Sequence, residues 1–158
     1  MRLKLLVTLF AAAVILAACE SSPEATTDTS GQGAQTATTA PTDWTTLTRQ
    51  VGDRVFFDLD QHDLKPAARK TVEAWSKWVK ANPGHTVTIQ GHADERGTRE
   101  YNLALGDRRA TSVKNYLVAL GVQANRVRTI SYGKERPQDP GHGQSSWAAN
   151  RRGVAVVQ

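Results

Sequence analysis

The sequence predicts an α/β fold, an α+β two-layer sandwich in which a mixed four-stranded sheet carries its helices on one face. Three observations predict it. Strand-like runs alternate with longer stretches of helical periodicity, in the order β-α-β-α-β-β. Each of the two helices lies between two strands, the connection that makes strands parallel. A last strand then follows the third across a loop rich in Gly and Pro, which adds an extra strand to the sheet. No internal repeat is evident.

Taken in order, the folded part begins near Trp44 and gives one domain, 44–158. DRVFFDLD, 53–60, is a β-branched and aromatic run between Gly52 and a polar loop, hence a strand. KPAARKTVEAWSKWVKAN, 65–82, is a helix. Pro66 suits its first turn, Ala68, Val72, Trp75 and Val79 form its apolar stripe, and Asn82-Pro83-Gly84 ends it. Trp75 is core on this reading, and Trp78, off the stripe, is expected at the surface. HTVTIQGH, 85–92, alternates polar and apolar residues, which makes it a second strand. Thr98 caps a helix that runs to about Leu120, where Gly121 stops it. Ala110, Val113, Leu117 and Leu120 are its buried stripe. RVRTISYG, 126–133, is the third strand and RRGVAVVQ, 151–158, the last.

The 158 residues carry a formal charge of +5 and one cysteine, Cys19, so no intrachain disulfide forms. Setting aside Arg2 and Lys4 leaves 18 basic residues against 15 acidic ones. An excess of +3, without a basic stripe interleaved with aromatics, argues against nucleic acid as a partner. Residues 1–18 read as a leader: a positive start, then the apolar run Leu5 to Leu16, short of the ~20 residues of a membrane span. It ends in LAAC, which resembles the lipobox of bacterial lipoproteins. That resemblance implies cleavage after Ala18 and a lipid on Cys19. Glu20 stands where an Asp would signal inner-membrane retention, which favours the outer membrane. Residues 19–43 read as a disordered tether, with no Leu, Ile, Val, Phe or Tyr to support a core. Stretched, its roughly 24 residues from Glu20 reach ~80 Å; coiled, they span about 27 Å.

The informative stretch is GHADERGTREYNLALGDRRA, 91–110. Asp94 lies just past the end of a strand, where α/β sheets place ligand contacts. Gly97 and Thr98 lead into a helix whose free N–H groups and dipole favour an anion. Asn102 and Arg109, seven apart, share one helical face with Leu105 between them. That face looks back at the Asp94 loop. The result is a pocket with a carboxylate on one wall and a guanidinium on the other, matched to a zwitterion. Arg suits the second wall because its planar fork takes a carboxylate bidentately.

This stretch, with VFFDLD before it and SYGKERP and NRRGVAVV after it, resembles the OmpA-like peptidoglycan-binding domain family. Joined to the lipobox, it is similar to the peptidoglycan-associated lipoprotein branch of that family. The resemblance covers about 51–158. Arg99 stands where Pro commonly follows GT, and GVAVVQ lacks an acidic residue often seen there. The resemblance implies non-covalent binding of the peptidoglycan stem peptide through meso-diaminopimelate. By motif position Asp94 would take the ammonium and Arg109 the carboxylate. Asn102 would add a polar contact, and Phe57 and Asp58 would line the pocket. Arg151 is a further candidate, with either Arg151 or Arg152 pointing inward. The resemblance also implies an outer-membrane location facing the periplasm, a TolB-like propeller and other Tol components as partners, and a part in envelope constriction during division.

Plainer readings stand beside these. Asp94 and Arg109 could simply pair with each other. Arg108, one residue off the pocket face, is solvated. His92 beside Asp94 suggests a metal, but His62, His85 and His142 show no ligand spacing, so no metal or cofactor is expected. No Ser-His-acid constellation appears, which leaves a hydrolase the weakest choice and a non-enzyme the expectation. Trp147 and the Gly/Pro loop belong to a partner surface or to a mobile loop. The alternative to a wall-binding module is a periplasmic scaffold whose main business is other proteins.

Overall fold

The computed structural model describes residues 43–158. The expected leader, Cys19 and all of the tether but Asp43 lie outside the described residues. The first element of the described residues is α1, Trp44–Val51, which the sequence pattern did not reveal. Its Thr-rich sequence has weak helical propensity. What holds it is a cap and a contact. Asp43 accepts the Thr46 N–H at 3.0 Å, and the Trp44 ring lies 5.1 Å from that of Trp78. Gly52, at φ 86°, ends the helix in the left-handed region that favours glycine.

Next come β1, Arg54–Phe56, and α2, Pro66–Ala81, followed by β2, Val87–His92. Then α3, Arg99–Ala119, leads through a short 3-10 turn to β3, Val127–Gly133. A further short helix, α4, Gln144–Asn150, interrupts the expected Gly/Pro loop before β4, Arg152–Val157. The sheet order is β1-β4-β2-β3, with β2 and β3 parallel and β4 antiparallel to both its neighbours. The latest strand therefore lies inside the sheet. Helices α2 and α3 pack against each other and against the strands, and α1 packs on α2.

The strand expected over 53–60 contributes only three residues. It stops because Asp60 takes a left-handed turn at φ 55°, and the carbonyls of Asp58 and Gln61 are drawn instead to Arg109. The core is otherwise the expected one: Val72, Trp75 and Val79 of α2 meet Val87 and Ile89 of β2 and Val113 and Leu117 of α3. Trp75 adds a hydrogen bond from its indole N–H to the Gly52 carbonyl at 2.9 Å. Trp78 is a correction: it is 3% exposed, not a surface residue. Three residues beyond Trp75, it lies only about 60° round the helix, and α1 covers it. Among the described residues, no helix is long and apolar enough to cross a membrane.

Helix α3 lies on β2 backbone to backbone. A Cβ on Gly91 would fall 1.9 Å from the Gly106 carbonyl oxygen, and one on Gly106 2.3 Å from Ser131 Oγ. Neither position has room for a methyl group, and backbone cannot swing aside as a side chain can. Ser131 then fixes the register by donating to the Leu103 carbonyl at 2.7 Å. We expect Gly91→Ala to lower the urea-unfolding free energy by about 2–3 kcal/mol through overpacking. Gly84→Ala, which meets nothing within 4 Å, should change it by less than about 0.5 kcal/mol. Equal midpoints for the two variants would show that the close contact is unimportant.

Candidate functional site

Four segments converge at one end of the sheet: the loop after β1, the loop after β2, one face of α3, and the residue that enters β4. They enclose a cavity of roughly 310 Å³. Its charged and polar lining is Asp60, Asp94, Arg96, Asn102, Arg109 and Arg151, with Leu59 and Tyr101 among its apolar walls.

Asp94 and Arg109 both line this cavity, yet they make no ion pair with each other. Asp94 is 4% exposed and has four contacts. Its Oδ1 accepts the Arg96 backbone N–H and Nε–H, both at 3.1 Å. Its Oδ2 accepts Arg96 Nη2 at 2.7 Å and Arg151 Nη1 at 3.3 Å. Burial opposes ionisation of this carboxyl, but the hydrogen bonds from Arg96 and Arg151 outweigh it and hold the pKa below the usual carboxylate value.

Arg109 is fully buried and donates only to backbone: Nε to Gln61 O at 2.9 Å, Nη1 to His92 O at 2.8 Å, Nη2 to Asp58 O at 2.9 Å. Burial first, and then the nearby charge of Arg151, lower its pKa to about 10, so it stays cationic at neutral pH. Its guanidinium lies 5.3 Å from the Phe57 ring centroid. Of its five N–H groups, three are engaged. Arg109 is thus first a strut that ties the loop after β1 to the end of β2, and only two N–H groups remain for a ligand.

Asn102 also serves the framework. Its Nδ2 donates to the Arg96 carbonyl at 2.7 Å and fixes the loop after β2. Lys134 holds the same loop through the carbonyls of Glu95 at 3.1 Å and Gly97 at 2.7 Å. Thr98 caps α3 as expected, and Arg99 occupies its first turn, where its Nε meets Glu135 at 3.1 Å.

Two expected lining residues lie elsewhere. Phe57 is a core side chain beneath Arg109. Asp58 turns outward, its carboxylate 58% exposed and bonded to Lys65 at 2.6 Å; only its carbonyl serves the site. Leu59 and Asp60 line the cavity instead, because the turn at Asp60 folds them over it. Asp60 accepts the Tyr101 hydroxyl at 3.2 Å. Positions 58 and 60 are both Asp, so residue type gives no signal that favours one over the other; the turn decides it.

Of the two adjacent arginines, Arg151 faces the cavity, with its Nε on the Phe57 carbonyl at 3.1 Å. Arg152 points to the other face, onto the carbonyls of Asn150 and Arg136, as neighbours at a strand entry must. Three cations therefore face two acids across the cavity. The balance favours a ligand with at least one carboxylate.

His92 is buried beside Tyr132, and both its ring nitrogens lack a partner. Among the described residues, no three His, Cys, Asp or Glu side chains gather as a metal site would require. A second, larger groove of roughly 820 Å³ runs along β1, between Phe56 and the Ala67, Ala68 and Thr71 face of α2. Its lining is mainly apolar.

The profile of the OmpA family matches residues 56–151. A peptidoglycan-associated lipoprotein of Rhizobium meliloti is 46% identical over 142 residues, which are 90% of this chain and 81% of the relative. Another, from Brucella melitensis, is 50% identical over 111 residues, 70% of this chain and 66% of the relative. The crystal structure of the peptidoglycan-associated lipoprotein from Burkholderia pseudomallei aligns with a TM-score of 0.66 at 40% identity, covering 67% of this chain and 90% of that one. The C-terminal domain of Helicobacter pylori MotB shares the fold, with a TM-score of 0.63 at 20% identity over 67% of this chain and 84% of that one.

Burial, followed by the charge of Arg152, lowers the His92 pKa from 6.5 to about 4. Between these values the unfolded chain binds a proton that the folded chain does not. Stability should therefore fall as pH drops from 6.5 to about 4, by about 3 kcal/mol, and then level off. Urea unfolding of the parent and a His92→Leu variant across that range isolates the effect. A parent-minus-variant difference that stays flat with pH would contradict it.

Proposed function

This chain belongs to the OmpA family, and we propose that its domain binds the stem peptide of peptidoglycan non-covalently at meso-diaminopimelate. The observation that carries the reading is the cavity itself, where Arg96, Arg109 and Arg151 face Asp60 and Asp94. The side-chain end of diaminopimelate carries an ammonium and a carboxylate on one carbon. In the proposed complex the carboxylate draws on Arg151 and the free N–H groups of Arg109. The ammonium takes the place of Arg151 on Asp94, whose 3.3 Å contact there is the longest it makes. Asp60 is the second acid within reach.

No reaction is needed for this role. A lipid on Cys19 would hold the outer membrane, the pocket would hold the wall, and the tether would span the gap in the periplasm. On this reading the chain would work in the Tol-Pal system, in envelope constriction during division. The names of its relatives and the charge of the pocket support this reading.

A second reading is a scaffold for a TolB-like protein, and the groove along β1 favours it. Asp53 and Phe57 bond toward β4, so the N–H and C=O groups of Arg54 and Phe56 point outward along an open edge.

The test is co-sedimentation of the soluble chain with purified diaminopimelate-type sacculi. The parent should pellet, and Asp94→Asn, Asp60→Asn and Arg151→Gln should stay in solution while remaining folded. Arg109→Ala is a poor probe, because it leaves three carbonyls without a donor. Walls with amidated diaminopimelate, or with lysine in its place, should bind more weakly by about 1–3 kcal/mol. Equal pelleting on all three walls would remove the arginines from carboxylate binding. A parent that never pellets gives the lead to the scaffold.

A further inference from the structure

One cluster outside the cavity remains without a role. Trp147, in the unforeseen helix α4, donates its indole N–H to Glu95 Oε1 at 2.8 Å. His142 Nδ1 lies 2.7 Å from the other Glu95 oxygen. The Arg96 guanidinium lies over the face of the same indole, 4.2 Å from the ring centroid. Glu95 and Arg96 are neighbours on the loop after β2. One aromatic side chain therefore holds both, and the second is the residue that engages Asp94 with its backbone N–H, its Nε and its Nη2.

The backbone of this loop does not depend on Trp147. Lys134 and Asn102 fix three successive carbonyls of it, at Glu95, Arg96 and Gly97. The contacts from α4 act on side chains, not on the path of the chain. An arginine one-third exposed on a loop has many rotamers available. Stacking on an indole removes that freedom before a ligand arrives, which is how preorganisation raises affinity.

We infer that Trp147, which does not line the cavity, is a positioning residue for ligand binding. It holds Arg96 over its ring and so keeps the guanidinium on Asp94, setting both the charge and the width of the pocket. The identity of the ligand rests on the function proposed above; the hold on Arg96 does not.

The experiment uses the full chain, 15N-labelled, in detergent micelles, with a stem tripeptide containing meso-diaminopimelate as the probe. In the parent the Arg96 Nε–H should exchange slowly with water. In Trp147→Ala it should exchange at least about tenfold faster, while the Asn102 side-chain amide stays unchanged. Tripeptide affinity should fall about five- to tenfold, the size of one partly desolvated cation–π contact. Trp147→Phe keeps an aromatic face and should recover most of both signals, whereas Trp147→Leu should not. Rapid Arg96 exchange in the parent, or equal exchange in parent and Leu variant, would overturn the inference even if the Ala variant fails to fold. A parent that ignores the tripeptide strikes the proposed ligand, and the Arg96 signal then decides the role of Trp147.

Discussion

The contact between Gly91 and Gly106 governs this domain. A helix normally meets a sheet through side chains, at a distance those side chains set. Here the backbones meet directly, so α3 sits deeper on β2 than any other residue pair would allow. Arg109 is three residues beyond Gly106, on the same side of the helix. Its depth is therefore fixed by the glycine contact. At that depth its guanidinium reaches carbonyls of the loop after β1, at 58 and 61, and of the end of β2, at 92. Backbone packing thus dictates where the arginine lies, and the arginine dictates how the loops around the cavity close.

The four buried or half-buried arginines at this end of the sheet do different work. Arg109 bonds to carbonyls, which satisfy a buried cation without neutralising it. Its charge stays available to the cavity, where a salt bridge would have cancelled it. Arg96 and Arg151 share Asp94, and each has a second hold outside the cavity: the Trp147 ring for one, the Phe57 carbonyl for the other. Arg152 belongs to the opposite face. With two cations on Asp94, a third held by carbonyls and Asp60 opposite, the site is held together and still positive.

Much of this could be read in the sequence, for physical reasons. The segment 66–81 announces itself by an apolar stripe along its length, and 99–119 by its Thr98 cap and the apolar stripe of its second half. The same periodicity placed Asn102, Leu105 and Arg109 on one face. Short elements gave no such signal. Helices α1 and α4 have eight and seven residues, too few for a period to show, and tertiary contacts hold them. Trp78 was misread because nothing in α2 itself says that a further helix covers it. The displacement from Phe57 and Asp58 to Leu59 and Asp60 has a similar cause. A strand ends where its carbonyls find other donors, and the donor, Arg109, is 51 residues from Asp58.

The position of β4 has a consequence for how the protein comes into being. Among the described residues β1 pairs with no strand but β4, and β4 is translated after every other described element. Until its residues arrive, β1 has no partner and the sheet cannot close. The pocket waits as well, since Arg151 stands at the threshold of that strand. A chain built this way keeps its sheet and its pocket incomplete until the end of its synthesis, so a product that lacks the last few residues loses both at once.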